Sequence, residues 1–337
     1  MKGARQYRLE PTHTRLVPTT ANPIVTSLAC VSVKARANLL QGKCPYLADF
    51  HGGVLAYPRS VGIQASVSVG ARLTDDGTFE FPNVPPGQYV IQASRGGSNS
   101  WTEAEFTAIP VSVNGTDVTG LVVQTSAGSS ISGRFTFDAF NNSSRPAPSA
   151  IELSPLPADF DLSPSRSASA NIHADWTFEM AGINGPRRLQ LVIAPSGWAL
   201  KEIRVNGIDV TDHALPFGRA DQSLTDVEVV LTDRINELSG TIASAPGSHL
   251  IVFPTDRDRW YPSSRFLRTA VAGVDGSFTL SGLPFGTYYT MAVSQLPAEG
   301  EDSWQDPQYL DSLVSRASTI TLGDGQKQVL TLRLPAR

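Results

Sequence analysis

The chain has 337 residues, enough for two or three domains of ordinary size. Hydrophobic residues make up 41% and charged residues only 17%, against about 25% in an average protein, while 28 Gly and 24 Pro punctuate the sequence. This excludes a disordered chain and a mainly helical one, whose surface needs Glu, Lys, Arg and Gln; a balance of 27 basic against 31 acidic residues without long runs of one sign leaves no electrostatic footprint for nucleic acid or acidic lipid.

Residues 1–60 share little with the rest of the chain. Lys2, Arg5, Arg8 and Arg15 precede an uncharged run to Val33, but Pro18, Thr19, Thr20, Asn22 and Pro23 interrupt the apolar segment that a secretory signal needs. Ser27-Leu28-Ala29-Cys30 resembles a lipoprotein cleavage site with Ser where Leu is wanted. No stretch is apolar enough to cross a membrane as a helix. Cys30 and Cys44 form a disulfide or stay as thiols, and without a histidine ladder they make a poor metal site. The segment reads as a divergent or disordered extension; a misassigned start of the reading frame is the alternative.

From residue 61 the pattern becomes periodic. Asp76-Gly77-Thr78-Phe79-Glu80-Phe81, followed by Val84-Pro85-Pro86-Gly87-Gln88-Tyr89, reads as a hairpin turn, a strand with alternate apolar residues, a fixed turn and a second strand. Val111 to Thr119 then carries an Asn-Gly hairpin signal before the alternating Leu121 to Gln124. Ile131-Ser132-Gly133-Arg134-Phe135 opens a new unit, and a worn copy of the Asp motif stands at Asp175-Trp176-Thr177-Phe178. Ile203 to Thr211 repeats the Asn-Gly pattern and leads to the alternating Val227 to Leu231. Leu238-Ser239-Gly240-Thr241-Ile242 opens the last unit, and Asp275-Gly276-Ser277-Phe278 to Gly286-Thr287-Tyr288 repeats the first motif about 200 residues on. One helix is predicted over 307–317, with Asp306 as cap, Pro307 in the first turn and Tyr309, Leu310, Leu313 and Val314 on one face.

Repeats about 100 residues apart, built of short strands and tight turns, predict an all-β chain of tandem antiparallel sandwiches. The expected division is an extension at 1–60, a partial first sandwich at 61–128, a second at 129–235 and a third at 236–337. The first unit should show a Ser-Gly strand near residues 32–39, and Val33 to Leu39 has none.

The segments Asp76–Ala93, Trp198–Asp212, Val227–Ile242 and Asp275–Tyr289 resemble bacterial carboxypeptidase regulatory-like domains in tandem. An aromatic-rich stretch at Val252–Phe266 and another at Trp304–Leu313 fit the same family. The resemblance covers about residue 65 to the C-terminus and rests on turn and core residues. It implies a seven-stranded, transthyretin-like sandwich in an accessory, extracytoplasmic protein.

The residues for chemistry are not assembled in the sequence. His13, His51, His173, His213 and His249 never stand at metal-ligand spacing, the zinc-peptidase His-x-x-Glu pair is missing, and no Gly-x-Ser-x-Gly elbow accompanies Ser196. Asp209, Asp212 and His213 read as a turn and a solvated loop rather than a relay. Asp256, Asp258 and Asp306 lack the alternating ligand set and glycine of a calcium loop. Neither a catalytic residue nor a cofactor is therefore expected. The tryptophans are Trp101, Trp176, Trp198, Trp260 and Trp304, and each either covers the end of a core or is exposed for stacking. The densest aromatic and arginine group, Arg257, Arg259, Trp260, Tyr261 and Trp304, is the candidate ligand surface. The expected function is a non-catalytic structural or binding module for a protein partner; a carbohydrate-binding module is the alternative.

Overall fold

The computed structural model describes residues 105–335 apart from 142, 164–168, 244–245 and 298–302, together with residues 71, 78–82 and 84–95. It describes the strand backbone alone at 6–9, 16–19, 39–42, 52–58, 69–70 and 72–73. Cys30, Cys44, Trp101, the cleavage-like site at Ser27–Cys30 and the Asp76-Gly77 turn lie outside the described residues.

The fold is all-β. Strands β1 (Gln6–Leu9) and β2 (Leu16–Thr19) pair as an antiparallel hairpin. The first strand group comprises β3 (Leu39–Gly42), β4 (Gly52–Pro58), β5 (Val69–Gly70), β6 (Arg72–Leu73), β7 (Phe79–Pro82), β8 (Gly87–Arg95) and β9 (Glu105–Val113). They form two antiparallel sheets, ordered β3-β7-β6 and β5-β4-β8-β9. Phe79 and Phe81 from one sheet meet Tyr89, Ile91, Val111 and Val113 from the other, which makes a sandwich core.

Two of these strands fall inside the expected extension. β3 pairs with β7 so that Leu40 lies opposite Phe81, as Leu238 lies opposite Leu280 in the last unit. Leu40-Gln41-Gly42 thus occupies the register of Leu238-Ser239-Gly240, one residue beyond the stretch where an opening strand is expected.

The second group comprises β10 (Ser129–Asp138), β11 (Glu152–Pro157), β12 (Asn171–Ile172), β13 (Thr177–Ile183), β14 (Gly185–Ile193), β15 (Ala199–Val205), β16 (Ile208–Asp209), β17 (Leu215–Phe217) and β18 (Ser223–Thr232). Their sheet orders are β12-β13-β10-β18-β15-β16 and β11-β14-β17. The third group comprises β19 (Glu237–Ala243), β20 (His249–Pro254), β21 (Arg268–Val271), β22 (Ser277–Ser281), β23 (Gly286–Val293), helix α1 (Pro307–Val314), β24 (Ser318–Leu322) and β25 (Lys327–Arg333). Its sheets are β22-β19-β25 and β21-β20-β23-β24, seven strands around one core. The pairing of β25 with β19 departs from the antiparallel expectation, because the two run parallel.

By contact density the chain divides into two compact units: Met1–Arg134 with Glu152–Val192 and Val205–Val227, and Phe135–Ile151 with Ile193–Arg204 and Glu228–Arg337.

Turn chemistry explains the repeat. In the last unit the Gly276 amide donates to the Gly273 carbonyl and the Gly273 amide to the Ser277 carbonyl, with φ +78° at Gly276. This is a type I turn closed by a left-handed residue, so only the second residue of Asp-Gly needs positive φ. The worn copy folds identically, with Trp176 at φ +71° in the glycine's place. Asp275 Oδ1 accepts from both the amide and the hydroxyl of Ser277, and Asp175 Oδ1 does the same for Thr177. The Asn-Gly matches are less alike. Asn206 (φ +51°) and Gly207 (φ +77°) form the tight β15–β16 hairpin, whereas at Asn114-Gly115 only the glycine is left-handed.

Glycines also set the sheet contacts. A Cβ on Gly133 would lie 1.9 Å from the Val227 carbonyl oxygen, and one on Gly240 would lie 1.9 Å from that of Leu330. In the second and third groups the Ser-Gly glycine is therefore a point of close approach between the first strand and the last, which makes β18 and β25 equivalent.

Helix α1 forms as predicted but ends at Val314. Asp306 Oδ1 caps it by accepting from the amides of Gln308 and Tyr309, and Leu310 and Leu313 are its buried residues. Strand β20 is buried along both faces: Leu250 and Val252 enter the sandwich core, and Ile251 and Phe253 pack in a second cluster with α1. This accounts for its unbroken apolar sequence.

Candidate functional site

Four of the five residues of the candidate ligand surface lie between β20 and β21, and the fifth, Trp304, lies between β23 and α1. Arg257–Arg259 is one turn of 3-10 helix, capped by Asp256, whose Oδ1 accepts from the Asp258 amide. The structure brings the group together, but as a packed corner and not as an exposed face. Trp260 and Trp304 are each only 6% exposed and join Ile251, Phe253, Leu310 and Leu313 in the second cluster. The Trp260 indole N–H donates to the Pro254 carbonyl at 2.7 Å, and its ring meets Phe253 edge-on at 5.6 Å. The arginines cover this corner. Arg257 lies over Trp260 at 5.1 Å and pairs with Asp311 of α1, while Arg259 stacks over Phe266 at 4.2 Å and pairs with Asp256 at 3.0 Å. Tyr261 is half-buried. Of the two roles open to the tryptophans, Trp260 and Trp304 take that of covering a core, because the helix insertion creates a second apolar face that both rings fill.

Of the aspartates that could have served as ligands or relays, Asp209, Asp256 and Asp306 are local caps. Asp209 Oδ1 accepts from the Thr211 amide and hydroxyl, and His213 Nδ1 lies 2.9 Å from the Thr211 carbonyl. Asp256 and Asp306 cap their helices. Among the described residues no three His, Cys, Asp or Glu side chains gather in a way that could hold a metal ion. No described helix is long and apolar enough to cross a membrane.

The second unit contains a cleft of about 310 Å³, lined by Leu200, Arg234, Asn236, Arg265, Phe285 and Asp324 among others. Its charges are engaged. Arg234 pairs with Asp324 at 2.8 Å and lies over Phe140 at 4.0 Å, and Arg265 donates to the Leu200 carbonyl at 2.8 Å. The cleft borders the Thr232–Asn236 connection, which is tied on both sides. Asp233 Oδ2 accepts the amides of Asn141 and Ser143, while Asn236 donates to the Leu283 carbonyl and accepts from the Gln326 amide. Around Asp233 these donated amides outweigh the desolvation that opposes them, and the carboxyl is held below the ordinary aspartate value. The connection between β18 and β19 is thus held by hydrogen bonds at both of its ends.

Arg187 has no counterpart among the residues that the sequence singles out. In the first and third groups a tyrosine folds back to close the corner between two strands: Tyr89 donates to the Pro85 carbonyl at 3.0 Å and Tyr288 to the Pro284 carbonyl at 2.7 Å. In the second group Arg187 does this from full burial, donating to the carbonyls of Asn184 (2.8 Å) and Pro155 (3.2 Å). Desolvation lowers its pKa to about 10, so it is still a cation at neutral pH. The one signal for it is Gly185-Pro186-Arg187 standing one residue short of Gly286-Thr287-Tyr288 after Ile183 and Leu283.

No protein-family model matches the chain, and no curated protein matches it. Among solved structures, the Bacillus anthracis TIE protein aligns over 95% of this chain and 54% of its own, at 12% identity and a TM-score of 0.23. A streptococcal ancillary pilin aligns over 88% and 95% of the two chains at 15% identity and a TM-score of 0.23. The minor pilin of Streptococcus agalactiae aligns over 67% and 88% at 11% identity and a TM-score of 0.27. Scores of this size leave the fold class to rest on the strand pairing itself.

Proposed function

We propose that the chain is a non-catalytic structural and protein-interaction module made of three transthyretin-like sandwiches, and that it acts outside the cytoplasm. The modules are taken to begin near residues 39, 129 and 236. The observation that carries this reading is the use made of the recurring residues. The repeated Asp, Tyr and Ser-Gly positions, with Arg187 standing in for one tyrosine, are spent on turns, corners and strand crossings. A repeat that preserves such residues preserves a scaffold, and scaffolds act through their edges and loops. The carboxypeptidase regulatory-like resemblance is the basis for placing the chain outside the cytoplasm. Burial of Trp260 and Trp304 removes the stacking platform that a sugar ligand would have used.

Treating intact cells with a membrane-impermeant cross-linker tests the proposal. The expected result is a discrete cross-linked complex containing this chain. A chain that reacts only after lysis, or purified protein that turns over peptide or ester substrates, overturns it.

A further inference from the structure

The two sheets that contain the first and last strands of their sandwiches differ at one edge. In the second group β15 lies on the outer side of β18, and Arg204 of β15 reaches Glu228 of β18 at 3.5 Å. In the third group the order ends at β25, and among the described residues no strand pairs with its outer side. The cores record the difference. Val227, Val229 and Leu231 of β18 are 0% exposed, whereas Leu330, Leu332 and Leu334, which succeed one another in the equivalent positions, are only partly buried. On the other face of β25, Val329 is 76% exposed.

The backbone of this edge is aimed outward. The Leu330 carbonyl faces Gly240 of β19. By the alternation of an extended strand, the N–H and C=O groups of Val329 and Thr331 therefore face the open side. Charge narrows the occupant. β25 carries Lys327 and Arg333 at its two ends, with Lys327 3.6 Å from Glu237 of the adjacent strand. Pairing β25 antiparallel with its copy in a second molecule, centred on Leu330, would set Lys327 against Arg333 at both ends, which like charges oppose. In the second group acidic Glu228 on the edge meets basic Arg204 on the covering strand, whereas the charges carried by β25 are basic.

We propose that the outer edge of β25 is a docking site for one extended strand of a protein partner, with alternating apolar residues and carboxylates placed to meet Lys327 and Arg333. The site deepens, and rests on, the reading of the chain as a protein-interaction module. The partner strand completes the sheet by main-chain pairing and covers the leucines that β15 covers in the second group.

A synthetic peptide of residues 199–205 carrying A199E and V205E, whose added carboxylates stand six residues apart as Lys327 and Arg333 do, is the probe, and its unmodified parent is the control. Against the full chain the acidic peptide is expected to bind roughly three- to tenfold more tightly than the basic parent. The Val329 and Thr331 amides, fast-exchanging in the free chain, are expected to become protected. Lys327→Glu with Arg333→Glu, both exposed and harmless to the core, should reverse the preference. Thr331→Pro, which removes an outward N–H, should abolish binding of either peptide. Equal affinity for both peptides, protection of these amides in the free chain, or a dimer that the charge reversal dissolves would each overturn the proposal. The cross-linking result stands apart: a surface complex that survives Thr331→Pro refutes this edge and leaves the scaffold reading intact.

Discussion

The second and third strand groups carry their insertions at the same point and use them differently. After β14 ends at Ile193 the chain makes the β15–β16 hairpin; after β23 ends at Val293 it makes α1. The hairpin is anchored by Trp198, whose indole N–H donates to the Ser144 carbonyl at 3.2 Å and whose ring meets Phe137 at 5.3 Å. It extends the sheet containing β18. The helix is anchored by Trp260 and Trp304 and covers the outer face of the other sheet. One insertion closes a sheet edge and the other closes a sheet face, so a common scaffold acquires different exposed surfaces. The open edge of β25 results from this choice.

The comparison is broken most severely by removing an anchor. Trp304→Ala should cost about 3–5 kcal/mol, because it leaves a large cavity between α1 and β20. Urea unfolding would measure it, and a loss below about 1 kcal/mol would mean that the helix is not held by a core. Gly240→Ala comes next, at roughly 2–4 kcal/mol, since a Cβ meets the Leu330 carbonyl and φ of +154° adds strain. Gly133→Ala meets the same crowding from Val227 without a left-handed φ and should cost less, about 1–3 kcal/mol. Equal costs would mean that the backbone conformation of Gly240 adds nothing to the crowding that the two crossings share.

The repeats make the sandwich class legible because turn residues act locally. An Asp followed two residues on by Ser or Thr caps its own turn, and Pro-x-Gly-x-Tyr closes its own corner, so both are visible in the sequence. Strand edges and insertions are decided by long-range pairing, and neighbouring residues do not encode it. Leu40-Gln41-Gly42 is hard to see as an opening strand because Gln replaces Ser, although its register is that of Leu238-Ser239-Gly240. Trp260 and Trp304 are legible as a group and not as buried, because only α1 gives β20 a second apolar face. Arg187 is hard to see, despite its place after Gly185-Pro186, because a charged residue in an apolar corner contradicts the pattern that the repeat sets.

The corners provide a finer comparison. Arg187→Met leaves two buried carbonyls without their donors and should cost about 2–3 kcal/mol, whereas Tyr288→Phe and Tyr89→Phe each remove one hydrogen bond, worth about 1 kcal/mol. If Arg187→Met costs no more than the tyrosine variants, the arginine does not close the second corner.

The smallest effect separates the turns by pH. Hydrogen bonds from the Ser277 hydroxyl and amide hold the Asp275 carboxyl below the ordinary aspartate value of 3.8, and those from Thr177 do the same for Asp175. A depressed carboxyl binds fewer protons folded than unfolded. Its contribution is therefore complete above the unfolded value and is lost as pH falls through the lower, folded one. Asp275→Asn cannot titrate but still presents an acceptor to Ser277. Thermal unfolding of the variant should run parallel to that of the wild type at neutral pH, and the two should converge below pH 3.8 as the native carboxyl protonates. The same convergence is expected for Asp175→Asn, where Trp176 replaces glycine in the turn. A gap that stays constant to the lowest pH would mean that these aspartates hold their turns by shape and not by charge.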